Sequence, residues 1–396
     1  MKAETSQPIV RSAPRPKLWN DPRFRSVLFQ VLAIFCVGGA IWYLVSNTLH
    51  NLSVRNISTG FDFLRREAGF AIGESTIDYG PQDTYFRAIS VGLLNTLRVA
   101  VVGIILATIF GTIIGIARLS SNWLVAKLAT FYVETMRNVP LLLQLFFWYA
   151  IISEAMPGPR NALHPLPGVF ISNRGIKLPA LEGGALNWVL GGLFLAIVLI
   201  VLLANWAKKR QDQTGQIFPL GRYALAIFVL LPLLAWFVSG ERLGLEMPVF
   251  KSFNFQGGIT VTPEFGALLA GLVIYTSAFI AEVVRSGIQS VNQGQWEAAG
   301  SLGLRRPLIL RLIVLPQALR VIIPPMTSQY LNITKNSSLA VAIGYPDIVS
   351  VVNTTLNQTG QAIEGIMMIM AAFLTVSLSI SAFMNWYNKR IALVER

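Results

Sequence analysis

The sequence predicts an all-α, polytopic membrane protein with about eight transmembrane helices. Three observations carry this prediction. Over 396 residues, 54% are hydrophobic and 13% charged, with a mean hydropathy of +0.57, too apolar for a soluble domain. Apolar runs recur at lengths that cross the hydrocarbon as helices. The 32 Lys and Arg residues fall between those runs rather than in one stripe, so the formal charge of +13 reports topology and not a nucleic-acid surface. A single cysteine, Cys36, excludes an intrachain disulfide and a Cys-based metal cluster. Two histidines, His50 and His164, stand far apart in polar connecting segments, so no metal site and no cofactor is expected.

Residues 1–26 are polar and proline-rich, with six basic residues against two acids, and read as a disordered basic tail. Residues 27–46 form a twenty-residue run without a charge, long enough to span. No small-residue cleavage site follows it, so it reads as a retained first span rather than a signal peptide. Residues 47–88 are polar and broken by Gly60, Gly69, Gly73 and Gly80-Pro81, an extramembrane segment. The second span, 89–117, contains Arg98 near its outer end, where the side chain is expected to snorkel to the interface. Gly103, Gly111 and Gly115 give this span a small-residue face for close helix packing.

The third span is expected over 127–151. It carries Glu134 and Arg137, three apart on one helical face and placed to pair, then Asn138-Val139-Pro140 and Gln144. Ionisable residues within a span are functional candidates by default, which singles out Arg137. Residues 152–187, with five prolines, read as a loop outside the bilayer. Spans four and five, 188–206 and 223–239, form a hairpin expected to pack against lipid or a partner, the fifth interrupted by Pro232. After a loop, residues 263–284 form the sixth span, ending near Glu282 and Arg285.

Residues 282–316 organise the rest. Glu297-Ala298-Ala299, three residues, Gly303, nine residues, then Ile313-Val314-Leu315-Pro316 read as a short helix with small side chains at Ala298, Ala299 and Gly300. A turn follows at Gly303, and Pro307 restarts a helix. Small side chains let another backbone come close. Glu297 is expected near the first turn of the short helix, where a carboxylate complements the dipole and can meet a basic partner. The seventh span, 315–333, is expected to be broken by Pro316, Pro324 and Pro325, each of which removes a backbone donor. Freed carbonyls at membrane depth must face protein or a watery cavity, so this segment is a pathway candidate. Residues 365–386 form a charge-free eighth span.

The spacing from Glu297 to Pro316 resembles the cytoplasmic EAA loop of bacterial ABC importer permeases, matched at every fixed position. Residues 134–146, with Glu134, Arg137, Asn138, Pro140 and Gln144, look like the stretch that marks the polar amino acid branch, and Lys335-Asn336-Ser337-Ser338-Leu339-Ala340 resembles that branch's translocation motif. The chain is similar to the eight-span permease subunit of general L-amino-acid importers, over 85–150 and 263–390. The resemblance implies a type I importer permease core over 85–390, with an inserted hairpin at 188–240 and a coupling loop at 285–312. It implies that Glu297, Ala298, Ala299, Gly300, Gly303 and Leu304 dock on a separate ATPase subunit. Further partners implied are a second related permease, a periplasmic amino-acid-binding protein and the lipid bilayer. For the substrate pathway, polarity within apolar segments selects Arg137, Gln144, Glu282, Asn332, Lys335, Asn336 and Ser338. An ion at the bilayer centre costs about 2.5–3.5 kcal/mol on insertion scales, so the cavity must supply compensating dipoles.

With the amino terminus inside, the inner segments hold 20 Lys and Arg against 10 outside, the positive-inside bias that places the Glu297 loop and both termini in the cytoplasm of a bacterial inner membrane. No Gly-Lys pair occurs, so the chain has no phosphate-cradling loop and is not itself an ATPase. The rival reading is an ion-coupled secondary transporter, with Glu134 and Glu282 as coupling candidates. An intramembrane enzyme would need a convergent acid, base or metal set, which the sequence does not offer.

Overall fold

The computed structural model describes residues 19, 22–54, 60–181, 183–216, 218–240 and 244–391. Most of the basic tail therefore lies outside the described residues. Among these, seven helices are long and apolar enough to cross a membrane, and a bent pair makes an eighth if counted as one span. The helices are α1 (Pro22–Val54), α2 (Tyr85–Ala117), α3 (Trp123–Asn138), α4 (Leu141–Ala150), α5 (Gly183–Thr214) and α6 (Leu220–Ser239). They continue with α7 (Pro263–Gln289), α8 (Gln293–Ser301), α9 (Arg306–Ile309), α10 (Leu315–Asn336), α11 (Ile348–Thr359) and α12 (Ala362–Ile391).

The core is built around α2 and α7, with α4, α10 and α11 packed against them and α12 against α10. The expected small-residue face of α2 makes this possible. A Cβ at Gly111 would lie 2.5 Å from Ile280 Cγ2, and one at Gly115 2.7 Å from the Ala281 carbonyl oxygen, so the two backbones meet where only glycine fits. The core continues into α10 through Val284, Ala318, Ile322 and Ile323, all buried. By contrast α1 and the α5–α6 hairpin lie largely outside this core: none of the apolar window of α1 is buried, and 6% of that of α6. The hairpin closes on itself where Gly192 meets Pro232 and Ala235.

The structure departs from the sequence reading at four places. The third span is not one straight helix: α3 and α4 are bent by 104° at Val139-Pro140. Pro140 holds Val139 extended at φ −89°, ψ 126°, because its ring clashes with a helical preceding residue. The seventh span is not broken by its prolines. Pro324 and Pro325 sit inside a continuous α10, and the irregularity lies before it, a π-helical turn over Leu310–Val314 where Pro316 has no N–H to return to Leu312. The segment 152–187 is not a plain loop. It supplies three strands, β1 (Leu163–Leu166), β2 (Val169–Ser172) and β3 (Gly175–Leu178), which pair antiparallel with β8 (Ile259–Val261) in the order β1-β2-β3-β8. Two-stranded ribbons β4 (Ala180–Leu181) with β5 (Leu245–Glu246) and β6 (Val249–Lys251) with β7 (Asn254–Gln256) complete this layer. Last, α11 was not anticipated. The sheet leads directly into α7, so the helices of the core have a sheet side and, at the opposite end of α7, an elbow side where α8 lies.

Candidate functional site

The elbow runs from Ser290 to Val314. Asn292 caps α8 by accepting from the Gly294 N–H at 2.8 Å, and the helix runs nine residues to Ser301. It stops in a left-handed closure at Gly303, φ +75°. There the Gly303 N–H donates to the Gly300 carbonyl at 2.9 Å and the Leu304 N–H to the Ala299 carbonyl at 3.3 Å, the paired bonds of a Schellman cap. The expected turn at Gly303 and the restart at Pro307, in the first turn of α9, are both present.

Burial divides the expected docking residues into two groups. Ala299 is 2% exposed and packs with Val291, Ile309 and Val314, flanked by half-buried Trp296 and Leu304. These side chains seat the elbow on its own chain, so Ala299 and Leu304 are anchors rather than a free surface. Glu297, Ala298, Gly300 and Gly303 are exposed. Glu297 is the fifth residue of α8 and not in its first turn, so the helix-dipole argument for it fails. Its carboxylate makes no hydrogen bond or ion pair with any described residue. Leu302, 79% exposed at the C-cap, was missed. Its signal was an apolar side chain beside the turn glycine, at the end of a short polar helix.

Glu282 lies toward the elbow end of α7, where it is held in an ion-pair cluster. Its carboxylate joins Arg118, at the end of α2, to Arg285, whose Nε also donates to Glu282 Oε2 at 3.3 Å. Arg118 reaches on to Thr130 Oγ1 of α3 at 3.4 Å. One carboxylate thus ties three helices together next to α8.

The remaining candidates are spread out. Gln144 is 5% exposed, and its Nε2 donates to the carbonyls of Met136 and Val139 at 3.0 and 3.1 Å, bracing the bend between α3 and α4. Arg137 makes no ion pair with Glu134; its guanidinium lies 5.2 Å from the Phe279 ring. Asn332 and Lys335 are exposed near the sheet-side end of α10, and Asn336 is partly buried at its last residue. Ser338 donates to the Lys335 carbonyl at 2.8 Å. These seven residues do not converge on one site. Arg98 does not snorkel either: Glu74 of the 60–84 segment pairs with it at 2.7 Å, and its guanidinium lies 4.3 Å from the Phe265 ring. Glu74 also accepts from Thr262 at the N-cap of α7, so this segment is laced to the sheet side of the core.

Close by, Asp347 caps α11. It is fully buried, its Oδ1 accepts from the Ser350 N–H at 2.8 Å, and its Oδ2 has no partner. Burial, against the opposing effect of the cap hydrogen bonds, pushes its carboxyl from the ordinary 3.8 up to about 7. A raised folded pKa means that the charged form costs stability: nothing below the unfolded value near 3.8, increasingly as pH rises, and fully above about 7. The purified protein is therefore expected to melt higher at pH 5.5 than at pH 8. Asp347→Asn, which keeps an oxygen for the cap, is expected to flatten that dependence, as scanning fluorimetry in detergent would read directly.

Comparisons with known proteins identify the family to which the chain is related. Residues 196–393 match the family described as "Binding-protein-dependent transport system inner membrane component". The general L-amino acid transport system permease protein AapQ of Rhizobium johnstonii is 50% identical over 378 residues, covering 95% of this chain and 94% of that protein. The glutamate/glutamine/aspartate/asparagine transport system permease protein BztB of Rhodobacter capsulatus is 41% identical over 410 residues, covering 95% and 96%. Among solved structures, the "Crystal structure of an amino acid ABC transporter with histidines" is similar at 20% identity and a TM-score of 0.46, over 77% of this chain and 95% of that one.

Proposed function

The chain belongs to the family of binding-protein-dependent transport system inner membrane components, and from that premise we propose that it carries L-amino acids inward as one permease of a paired translocation unit. It is a membrane-spanning permease subunit of an ABC importer, without ATPase activity of its own. Its family membership sets aside the ion-coupled secondary transporter. The amino-acid cargo rests on the names of its relatives AapQ and BztB, and a second, related permease on the paired organisation that the resemblance implies. The elbow faces the cytoplasm, following the positive-inside bias, and both termini lie on that side. Translocation belongs to residues 85–390, to which the first span and the 188–240 hairpin are additions.

The observation that carries the coupling role is the divided elbow. Ala299 and Leu304 seat α8 on α9 and on the π-helical turn that leads into α10, while Glu297, Ala298, Gly300 and Leu302 face away from the chain without partners. A surface that is rigid behind and unpaired in front is suited to being gripped by another protein. Nucleotide binding in the ATPase pair then draws the elbows of the two permeases together, and α7 and α10 carry that motion to the sheet side, where a periplasmic binding protein delivers the amino acid. The test is reconstitution in proteoliposomes with the ATPase, the second permease and the binding protein. ATP hydrolysis and uptake are expected to rise together on addition of binding protein and L-amino acid. Uptake that persists after ATP is depleted would overturn the reading.

A further inference from the structure

The α5–α6 hairpin stands beside the core with only 11% and 6% of the apolar windows of its two helices buried. Its small residues face inward: Gly192 meets Pro232 and Ala235, and Ala196 and Ala207 are buried. The outward surface is bulky, with Phe194, Leu202, Leu225 and Phe237 exposed. Helices that pack on another protein inside a bilayer keep small residues at the contact, so this surface is shaped for lipid chains. Because β4 leads into α5, the turn between the two helices lies at the elbow end. Residues 206–223 carry four basic residues, Lys208, Lys209, Arg210 and Arg222, against one acid, Asp212. The rings of Trp206 and Phe218 lie 5.4 Å apart and those of Phe218 and Tyr223 4.8 Å apart, so a three-ring cluster closes the turn. Arg210 is committed to that closure: its guanidinium lies 5.5 Å from the Trp206 ring and its Nη2 donates to Gln216 at 3.1 Å. Lys208, Lys209 and Arg222 are exposed and pair with no acid among the described residues.

From this geometry we infer that the turn of the α5–α6 hairpin is a docking site for anionic phospholipid headgroups of the inner leaflet. Lys208, Lys209 and Arg222 pair with the headgroup phosphates, and the Trp206–Phe218–Tyr223 cluster sets the depth. Indole and phenol rings settle at the headgroup level of a bilayer. Long basic side chains close to them in sequence reach the phosphate plane while their stems stay along the apolar surface. A lysine or arginine at an anionic surface is worth about fivefold in an equilibrium, so three give a preference of about tenfold or more for acidic over zwitterionic lipid. Charge alone would also suit an acidic protein. The bulky apolar walls that run up from the turn select lipid, whose acyl chains lie along them. The inference rests on the importer reading above for the side of the membrane on which the turn lies, and it gives the 188–240 hairpin a partner within that importer.

The test uses the full chain in its complex, reconstituted in nanodiscs, with Cys36→Ser and a bimane fluorophore on Gln213→Cys, an exposed position in the turn. Phosphatidylglycerol or phosphatidylcholine carrying a nitroxide near the top of the acyl chain replaces unlabelled phosphatidylcholine in steps, and quenching is read at each step. Half-quenching is expected at about a tenfold lower fraction of phosphatidylglycerol than of phosphatidylcholine. The gap should shrink at about 1 M salt, where charges are screened within roughly 3 Å. With Lys208→Gln, Lys209→Gln and Arg222→Gln combined, the two curves are expected to coincide. If that variant fails to assemble, Lys208→Gln with Lys209→Gln should lose most of the preference. Coincident curves in the chain with all three cations, or an undiminished preference without them, overturn the site. Absence of quenching by either lipid also overturns it, because a protein then covers the turn. The measurement needs no nucleotide, so its failure counts against the lipid site alone, whereas a wild-type complex without ATP-driven uptake counts against the importer reading.

Discussion

Gly303→Val is expected to abolish productive coupling while leaving the chain inserted in the membrane. Gly303 occupies φ +75°, where a side chain meets the neighbouring carbonyl; for a β-branched residue this costs roughly 1–2 kcal/mol or more. The substitution breaks both closing hydrogen bonds, from Gly303 to Gly300 and from Leu304 to Ala299. Without them Leu304 no longer reaches the cluster that seats the elbow, and the outward face of α8 loses its fixed angle. Since about 1.4 kcal/mol is a factor of ten in an equilibrium, ATPase association and amino-acid uptake should each fall about tenfold or more. Gly303→Asn is the control. Asparagine tolerates the left-handed region better than any residue except glycine, so uptake should recover largely. Co-purification of the ATPase with each variant, followed by uptake in vesicles, reads both outcomes. Uptake of Gly303→Val equal to wild type would mean that the elbow's shape is irrelevant.

Glu282→Gln is expected to separate ATP hydrolysis from transport. The Glu282 carboxylate is the junction at which α2, α7 and, through Arg118 and Thr130, α3 meet next to the elbow. Its side chain is 28% exposed, so the pair is partly desolvated and the glutamine variant should lose on the order of 1–3 kcal/mol of stability. The larger effect is mechanical. Force arriving at α8 would move α7 without carrying α2 and α3, so ATP would be hydrolysed with fewer solutes moved per nucleotide. The exchange Glu282→Arg with Arg118→Glu preserves the attraction between the two helices and is expected to restore part of the ratio of solute moved to ATP spent. A purely structural role would show in melting temperature alone, with that ratio unchanged in every variant.

These predictions depend on features that the sequence exposed unevenly, for physical reasons. The spans were legible because a run that must satisfy its backbone in lipid has to be long, apolar and helical. The elbow was legible because Gly303 and Pro307 punctuate the backbone wherever they occur. Pro140 held the information for the bend between α3 and α4, since a residue before proline resists the helix, but residues 127–151 together have the length of a single span, which concealed it. Burial was not legible at Ala299. Alanine is equally at home inside or outside a helix, and only the three-dimensional neighbours Val291, Ile309 and Val314 decide which. The tie of Glu282 to Arg118 was not legible because the two are 164 residues apart in sequence, and no local pattern reports such a pair. The sheet escaped notice because its strands are two to four residues long and β1 contains Pro165. Strands that short carry no usable alternation of polar and apolar positions. Leu302 was overlooked because a leucine in a short polar helix is ordinarily read as facing its own chain.

The most direct test is the accessibility of Leu302→Cys in a chain whose single natural cysteine, Cys36, has been replaced by serine. A membrane-impermeant maleimide is added to intact spheroplasts, to inverted membrane vesicles, and to inverted vesicles carrying an excess of the ATPase subunit. Labelling in bare inverted vesicles, none in spheroplasts, and protection by the ATPase is the expected pattern. Labelling from the outside, or labelling that the ATPase does not diminish, would contradict an elbow that an inner-side motor grips.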